Sequence, residues 1–375
     1  MTAPQTTSTA PLAWLRFPLA VAVVFIHSLG SPVPNCSVIV ADPFSATSIF
    51  DLLRLLCSRV MPGFAVPLFF LISGYLFFYR MGTWRWEEYG GKLRRRVRTL
   101  LVPYLIWNVL YCLYLTWPQL WPVLTGEVPC SAWIGRLNTM GGIHILWDSH
   151  VISRSTHLFG LYYASTAPVL VPLWFVRDLM VVVLFAPVIY WLVRRFRWWP
   201  LAVVGLFYAV DLWLPWHGFS VTCCFWFVAG ATFALLGCDL CDAFRRYRYM
   251  ALCVVAVLLP VSLICYVAMN QHYNLLGRLF QVGYIVAAVV AVVGFVTEGL
   301  NKGRLKVSPM LAEASFFVYV AHIFLLKHVM HYLNTLVSGT ASAVVVYFAV
   351  PIFTAAICLA IYVLWRKISK LLISH

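Results

Sequence analysis

Charge is scarce in this 375-residue chain: Asp, Glu, Lys and Arg together make up 10% of it, against roughly a quarter in soluble domains. The shortage is steeper on the acidic side, with 12 Asp and Glu against 27 Lys and Arg. No stretch is polar enough to stand as a soluble domain, so the length does not resolve into water-facing units. A cytosolic enzyme and a disordered chain are excluded by this alone. A disulfide framework is missing too. Most of the eleven cysteines, among them Cys57, Cys112, Cys223, Cys224, Cys253, Cys265 and Cys358, lie inside apolar runs, where they act as small hydrophobes. Cys238 and Cys241 form a lone C-x-x-C with no second pair, which argues against a zinc site. Internal repeats are absent, and low complexity is confined to the short Thr/Ser/Ala leader.

In place of charge the chain carries 63% hydrophobic and 16% aromatic residues, with a mean hydropathy of +0.88. A water-facing surface could not hold that much apolar side chain. The composition is that of an all-α, polytopic integral membrane protein with aromatic belts at both interfaces. A hydrocarbon core of about 30 Å needs about 20 apolar residues per helix. That ruler gives ten segments: 11–30, 61–80, 99–117, 169–193, 199–215, 219–236, 249–269, 278–298, 312–333 and 341–365. We expect them to form a single membrane-embedded domain over 1–375. The leader Met1 to Ala10 has no Lys or Arg and Arg16 interrupts the first apolar stretch, so that segment does not read as a cleaved signal peptide.

The basic residues test this topology. Arg80, Arg85, Lys92, Arg94, Arg95, Arg96 and Arg98 fall between segments two and three. Arg194, Arg195 and Arg197 follow the fourth segment, Arg245, Arg246 and Arg248 the sixth, and Lys302, Arg304 and Lys306 the eighth; Arg366, Lys367 and Lys370 lie in the tail. In a ten-helix chain all of these are on one side, which the positive-inside rule makes the cytoplasm, with both termini. Topology accounts for the net charge of +15, and nucleic acid is not an expected partner. Two connections are long. Ser31 to Pro62 contains the amphipathic stretch Phe50 to Val60, whose Arg54 and Arg59 are expected to face water or headgroups from an interfacial helix. Pro118 to Pro168 lies outside and is rich in Trp, Gly and His; Trp117, Trp121, Trp133 and Trp147 read mainly as interfacial anchors. His144, Asp148, His150 and His157 in this loop match no metal-ligand spacing, and no metal is expected.

Ionisable groups inside a span cost roughly 2.5–3.5 kcal/mol each on insertion scales, so they point to function. Arg16 and His27 are separated by eleven residues. At 100° per residue they project from one helix face, about 16 Å apart along the axis. Imidazole titrates where a base for a hydroxyl proton needs to. Arginine stays charged, and suits an anion or a developing oxyanion. Segment four adds Arg177 and Asp178, and segment nine carries Ser315, Tyr319 and His322 as one polar stripe; an interhelical hydrogen-bond network would also explain that stripe.

These motifs, in order, resemble the integral-membrane acyltransferases of acyltransferase family three. Trp14-Leu-Arg16 followed by His27 is similar to the family's Arg/Lys-x10-His, and Pro67 to Tyr75 to its F-F-x-x-S-G-[FY]. Arg94 to Tyr104 resembles the family's basic cluster followed by Pro-Tyr, Leu173 to Arg177 its L-W-F-[LV]-R, and Ser315 to His322 its S-F-x-x-Y-x-x-H. The resemblance implies transfer of an acyl group, usually acetyl from acetyl-CoA, to a hydroxyl of a carbohydrate or lipid-linked glycan. On it, His27 is the catalytic histidine and Arg16 its partner. Arg95 and Arg98 fit an R-x-x-R motif near the acyl-CoA donor, with Trp174, Phe175 and Arg177 beside it. Ser73, Gly74, Tyr75, Ser315, Tyr319 and His322 support the site. No cofactor is held permanently. The bilayer is the setting, a bacterial inner membrane the expected location, and a homo-oligomer is left open. Some members add a further helix and a hydrolase-like domain, and neither is expected here. Direct transfer and an acyl-histidine route are both compatible with the residues. The rival readings are a secondary transporter or flippase for a glycan substrate, which would need the same intramembrane charges, and a non-catalytic partner of a polysaccharide assembly complex.

Overall fold

A computed structural model of the chain describes residues 9–30, 46–156, 162–214, 216–269, 274–336 and 340–373. Its helices are α1 (Ala10–His27), α2 (Ala46–Leu55), α3 (Ala65–Phe78), α4 (Trp86–Arg96), α5 (Val102–Leu124), α6 (Cys130–Thr139), α7 (Trp174–Leu184), α8 (Ala186–Phe196), α9 (Trp199–Ala209), α10 (Val221–Leu235), α11 (Leu240–Ala268), α12 (Leu275–Asn301), α13 (Pro309–Thr335) and α14 (Thr340–Ile373). The one departure from all-α among the described residues is an antiparallel hairpin in the long outer connection. It pairs β1 (His150–Thr156) with β2 (Tyr162–Ala167), in a register running from His150 opposite Ala167 to Thr156 opposite Tyr162. The tertiary contacts gather into two compact units, Met1–Phe69 with Cys238–His375, and Phe70–Gly237.

Seven stretches are long and apolar enough to cross a membrane: Ala10–His27, Ile49–Phe78, Trp86–Leu124, Leu240–Ala268, Leu275–Asn301, Pro309–Thr335 and Ala343–Leu371. The pair α7 and α8 makes an eighth if its 62° bend is counted within one span. The bend falls just before Pro187, near the start of α8, where proline supplies no N–H and disfavours helix in the residue before it. The fifth and sixth expected segments are apolar but short, Trp199–Ala209 and Val221–Leu235. Asp211, at φ 55°, follows the end of α9, and Gly237, at φ 71°, follows α10; a left-handed residue stops a helix. The ten expected segments therefore give seven or eight full-length crossings among the described residues. Ile264, Val257 and Leu252 on α11 stay 66%, 62% and 46% exposed, which water would penalise and lipid tails accept. This is an integral membrane protein.

In the first unit α1 is the centre. Leu12, Leu15, Leu19, Ala20, Val23 and Val24 are its buried stripe, against α12, α13 and α14. α11 and α12 lie so close that a Cβ on Gly294 would stand 2.5 Å from the Phe244 carbonyl oxygen. At their ends Glu298 takes Lys302 at 2.8 Å, Arg245 at 3.5 Å and Arg248 at 3.7 Å. Side-chain caps start α11, α12 and α13 at Asp239, Asn274 and Ser308, each accepting from the first free N–H groups.

In the stretch from Phe50 to Val60 the expectation of cations facing water or headgroups holds for Arg59, which is exposed, and fails for Arg54. α2 runs through a wide turn at Leu56–Val60 and a tight one at Met61–Phe64 into α3. Phe50 and Asp51 are both buried. Arg54 is folded inward, donating to the Leu29 carbonyl at 3.0 Å and to Asp51 at 2.8 Å. Its opposite charge and that carbonyl are on its own unit, so burial costs less than a solvent-facing placement of Phe50 and Leu55.

In the second unit α3 and α10 cross backbone to backbone. A Cβ on Gly74 would lie 2.1 Å from the Phe227 carbonyl oxygen, and one on Gly230 would lie 2.1 Å from that of Leu71. Lys92 on α4 donates to the Phe77 carbonyl at 2.6 Å, closing the C-terminal end of α3 as a cation does at a helix terminus.

Candidate active site

In α1 the helical phase settles where Arg16 and His27 point. At 100° per residue both fall within the arc set by Leu12, Leu15, Leu19, Ala20, Val23 and Val24, the buried stripe. They face protein rather than lipid, which removes the alternative of two residues snorkelling to opposite headgroups. Both are half-buried, and among the described residues no hydrogen bond or ion pair engages either side chain. His27 is the last residue of α1. Its ring lies against that of His322 on α13, with centroids 5.3 Å apart and planes tilted by 39°.

His322 is wholly buried. Its Nδ1 lies 3.2 Å from the Val318 carbonyl oxygen, while its Nε2 is buried with no partner. The other members of the stripe are engaged differently. Ser315 donates to Ala312 O at 2.7 Å, within its own helix. Tyr319 is buried with its ring 6.2 Å from Phe69, edge-on. Arg59, expected to face water or headgroups, is exposed in the wide turn after α2, and it is close enough for its charge to act on His27.

The second unit holds the rest of the expected residues. Arg177 and Asp178 are 2% and 1% exposed. Arg177 Nε and Nη2 donate to Asp178 Oδ1 at 3.2 and 3.0 Å. Nη2 also donates to Thr166 O at 2.8 Å, and Nη1 to Thr166 Oγ1 at 3.3 Å and to the Trp147 carbonyl. A guanidinium has five N–H groups, and these bonds use all of them. Asp178 Oδ2 in turn accepts from Ser220 N at 3.1 Å, at the cap of α10. The pair thus fastens the outer connection and the start of α10 to α7. Tyr104 adds to this by donating to the Leu146 carbonyl, and Asn108 Oδ1 accepts from Leu170 N at 3.2 Å.

Trp174 and Phe175 pack on Phe70, centroids 6.1 and 4.6 Å away. Gly74 makes the α3–α10 crossing possible, with Ser73 half-buried and Tyr75 buried beside it. Arg95 and Arg98 are exposed where α4 passes into α5 and share no hydrogen bond or ion pair with Trp174, Phe175 or Arg177 among the described residues. In the outer connection one carboxylate holds two histidines: His144 Nδ1 lies 2.7 Å from Asp148 Oδ1, and His217 Nδ1 3.1 Å from Oδ2. Burial pushes the Asp148 carboxyl up, but the hydrogen bonds and charges of His144 and His217 outweigh it, and its pKa is lowered. His150 pairs with Ser149 at 2.7 Å, and His157 lies outside the described residues.

A family model described as an acyltransferase domain matches residues 12–363, a range that takes in both units and every residue above. The chain belongs to that acyltransferase family. It is also similar to the succinoglycan biosynthesis protein ExoH of Rhizobium meliloti (strain 1021), 27% identical over 183 residues, which are 48% of this chain and 42% of that protein. The chain thus spans less than half the length of this relative in the matched region. No solved structure matches. Of the residues the sequence singled out, His27 and Arg16 in the first unit and Arg95 and Arg98 in the second make no side-chain hydrogen bond or ion pair among the described residues, and His322 keeps Nε2 unused.

Proposed function

We propose that this acyltransferase moves an acyl group, acetyl in the simplest case, from acyl-CoA to a hydroxyl of a carbohydrate or lipid-linked glycan, with His27 as general base. The observation that carries the reading is the unengaged His27 imidazole, turned into the protein on α1, in a chain of this family. The Rhizobium relative is a succinoglycan biosynthesis protein, which supports a polysaccharide acceptor. The setting is a bacterial inner membrane, with both termini in the cytoplasm by the distribution of Lys and Arg.

Coenzyme A is a polyanion, and exposed guanidinium groups bind phosphates through paired donors. Arg95 and Arg98, exposed and without a hydrogen-bond or ion-pair partner among the described residues, are assigned that part. His27 takes the proton of the acceptor hydroxyl as its oxygen attacks the thioester carbonyl. The C–O bond forms, the C–S bond breaks, and the electron pair goes to sulfur, which recovers the proton from His27. Arg16 supplies fixed positive charge on the same helix face for the oxyanion or the donor. Arg177 has no N–H left for a ligand, so its part is to hold the outer connection and α10 in place.

Radiolabelled acetyl-CoA supplied to inverted membrane vesicles tests this. Label should enter a glycan or lipid-linked fraction, fall by about 10²–10⁴-fold in His27→Ala, and fall by a smaller factor in Arg16→Ala, at matched membrane levels. Label transfer by His27→Ala at the wild-type rate would remove the general base. No donor-dependent labelling at all, with normal insertion and acceptor supplied, would favour a transporter.

A further inference from the structure

The chemistry above uses one imidazole, and the first unit holds two in contact. A backbone carbonyl only accepts, so the 3.2 Å contact between His322 Nδ1 and Val318 O puts the proton on Nδ1. That leaves Nε2 as a lone pair, and it is buried without a partner among the described residues. Native structures rarely leave such an atom unsatisfied without a reason. The His27 ring is 5.3 Å away between centroids. Imidazoles joined edge to edge by N–H···N have centroids about 5 Å apart, given an N···N distance of about 3 Å; stacked rings would be closer. The 39° tilt is within reach of a turn about χ2, a soft torsion in histidine.

The neighbours of α1 leave few other partners. Tyr347 on α14 is bound to Ser58 at 2.6 Å, and Tyr284 on α12 donates to Met61 O at 2.6 Å. On α13, Tyr319 packs against Phe69 and Ser315 is spent on its own helix. Arg59, exposed in the turn after α2, is near enough for its charge to act on His27.

We propose that His322 is a positioning residue for His27: its Nε2 accepts the N–H of one His27 nitrogen and so turns the lone pair of the other toward the acceptor hydroxyl. This rests on the reading of His27 as general base. The tautomer of a catalytic imidazole is commonly fixed by what its second nitrogen bonds; here the fixing group is neutral and lies on another helix. When His27 takes the hydroxyl proton, the N–H···N bond becomes charge-assisted and shortens, and the proton returns to the thiolate from the nitrogen that received it.

The test pairs kinetics with a measurement on the unaltered protein. With radiolabelled acetyl-CoA in inverted vesicles, His322→Ala should lower kcat about 100-fold with KM for acetyl-CoA changed less than about twofold. His322→Gln, which restores a neutral acceptor, should recover about tenfold of that loss. An unchanged kcat in His322→Ala, a loss expressed only in KM, or a Gln variant no better than Ala would each overturn the role. In ¹⁵N-histidine-labelled wild-type protein, a coupling between the two rings through the hydrogen bond, absent in His27→Gln, is expected. Its absence overturns the pairing whether or not the variants fold. Failure of the two readings is distinguishable. A coupling beside a fully active His27→Ala protein would sink the general base and with it the positioning role. No coupling beside an inactive His27→Ala protein would sink the pairing alone.

Discussion

Two sites, one in each unit, treat ionisable side chains in opposite ways. In the second, Arg177 and Asp178 are withdrawn almost completely from the surface, and every guanidinium N–H meets an acceptor of the same unit. In the first, Arg16 has no partner among the described residues, and His322 keeps a bare nitrogen beside His27. A saturated buried charge is a fastener: it orders what it binds and has nothing left to offer a ligand. An unsaturated buried group is costly, about 1–3 kcal/mol when its desolvation is not repaid. Groups of that kind cluster where chemistry needs them. Both arginines interrupt apolar segments in the same family domain, yet their surroundings give them different work.

The comparison breaks most visibly at Arg177. Removing it in Arg177→Ala leaves Asp178 charged and buried, which costs about 3–5 kcal/mol. Membrane levels and thermal stability should collapse, and Arg177→Lys should rescue little, because a single ammonium cannot serve Asp178, Thr166 and Trp147 at once. A stable Arg177→Ala protein that had lost only donor affinity would instead make Arg177 a ligand group and erase the contrast. His27→Ala, by comparison, should lose transfer and keep its melting temperature.

The helix crossing in the second unit gives a smaller effect of the same structural kind. Gly74→Ala sets a methyl 2.1 Å from a carbonyl oxygen, an overlap relieved only by parting α3 from α10. Overpacking of this sort costs about 1–3 kcal/mol, read as a lower melting temperature in detergent. An unchanged melt would place the importance of Gly74 somewhere other than packing.

The smallest effect belongs to Asp148. Its pKa is lowered from the ordinary 3.8, so the charged form is favoured by folding. That contribution is complete above the ordinary value and is lost as pH falls through the lowered one. Thermal stability of the wild-type protein should therefore drop below about pH 4 more steeply than that of Asp148→Asn. Parallel curves would mean that the His144–Asp148–His217 cluster contributes nothing to the outer connection.

Much of this was legible beforehand. Segment lengths and apolar runs marked the crossings, and helical phase put Arg16 and His27 on one face and Ser315, Tyr319 and His322 on another. The motif order pointed to the family that the match over residues 12–363 establishes. Several features were not legible. The short α9 and α10 read as full segments, because a left-handed Asp211 is invisible to hydropathy. The hairpin of β1 and β2 sits in a stretch with no clean alternation. Arg54 was placed at the surface because the group that receives it, the Leu29 carbonyl, lies after α1, far along the chain.

The sequence by itself determined that the chain lives in a bilayer, where its long apolar runs lie, and which charged residues interrupt them, since hydrophobicity and a 3.6-residue period are local properties. Only the tertiary structure decided which of those charges are already spent. Arg177 is closed by Trp147, Thr166 and Asp178, while His27 is met by a histidine from α13 whose second nitrogen nothing else occupies. Hydrogen-bond partners are chosen by packing across the chain, and no period along it records them.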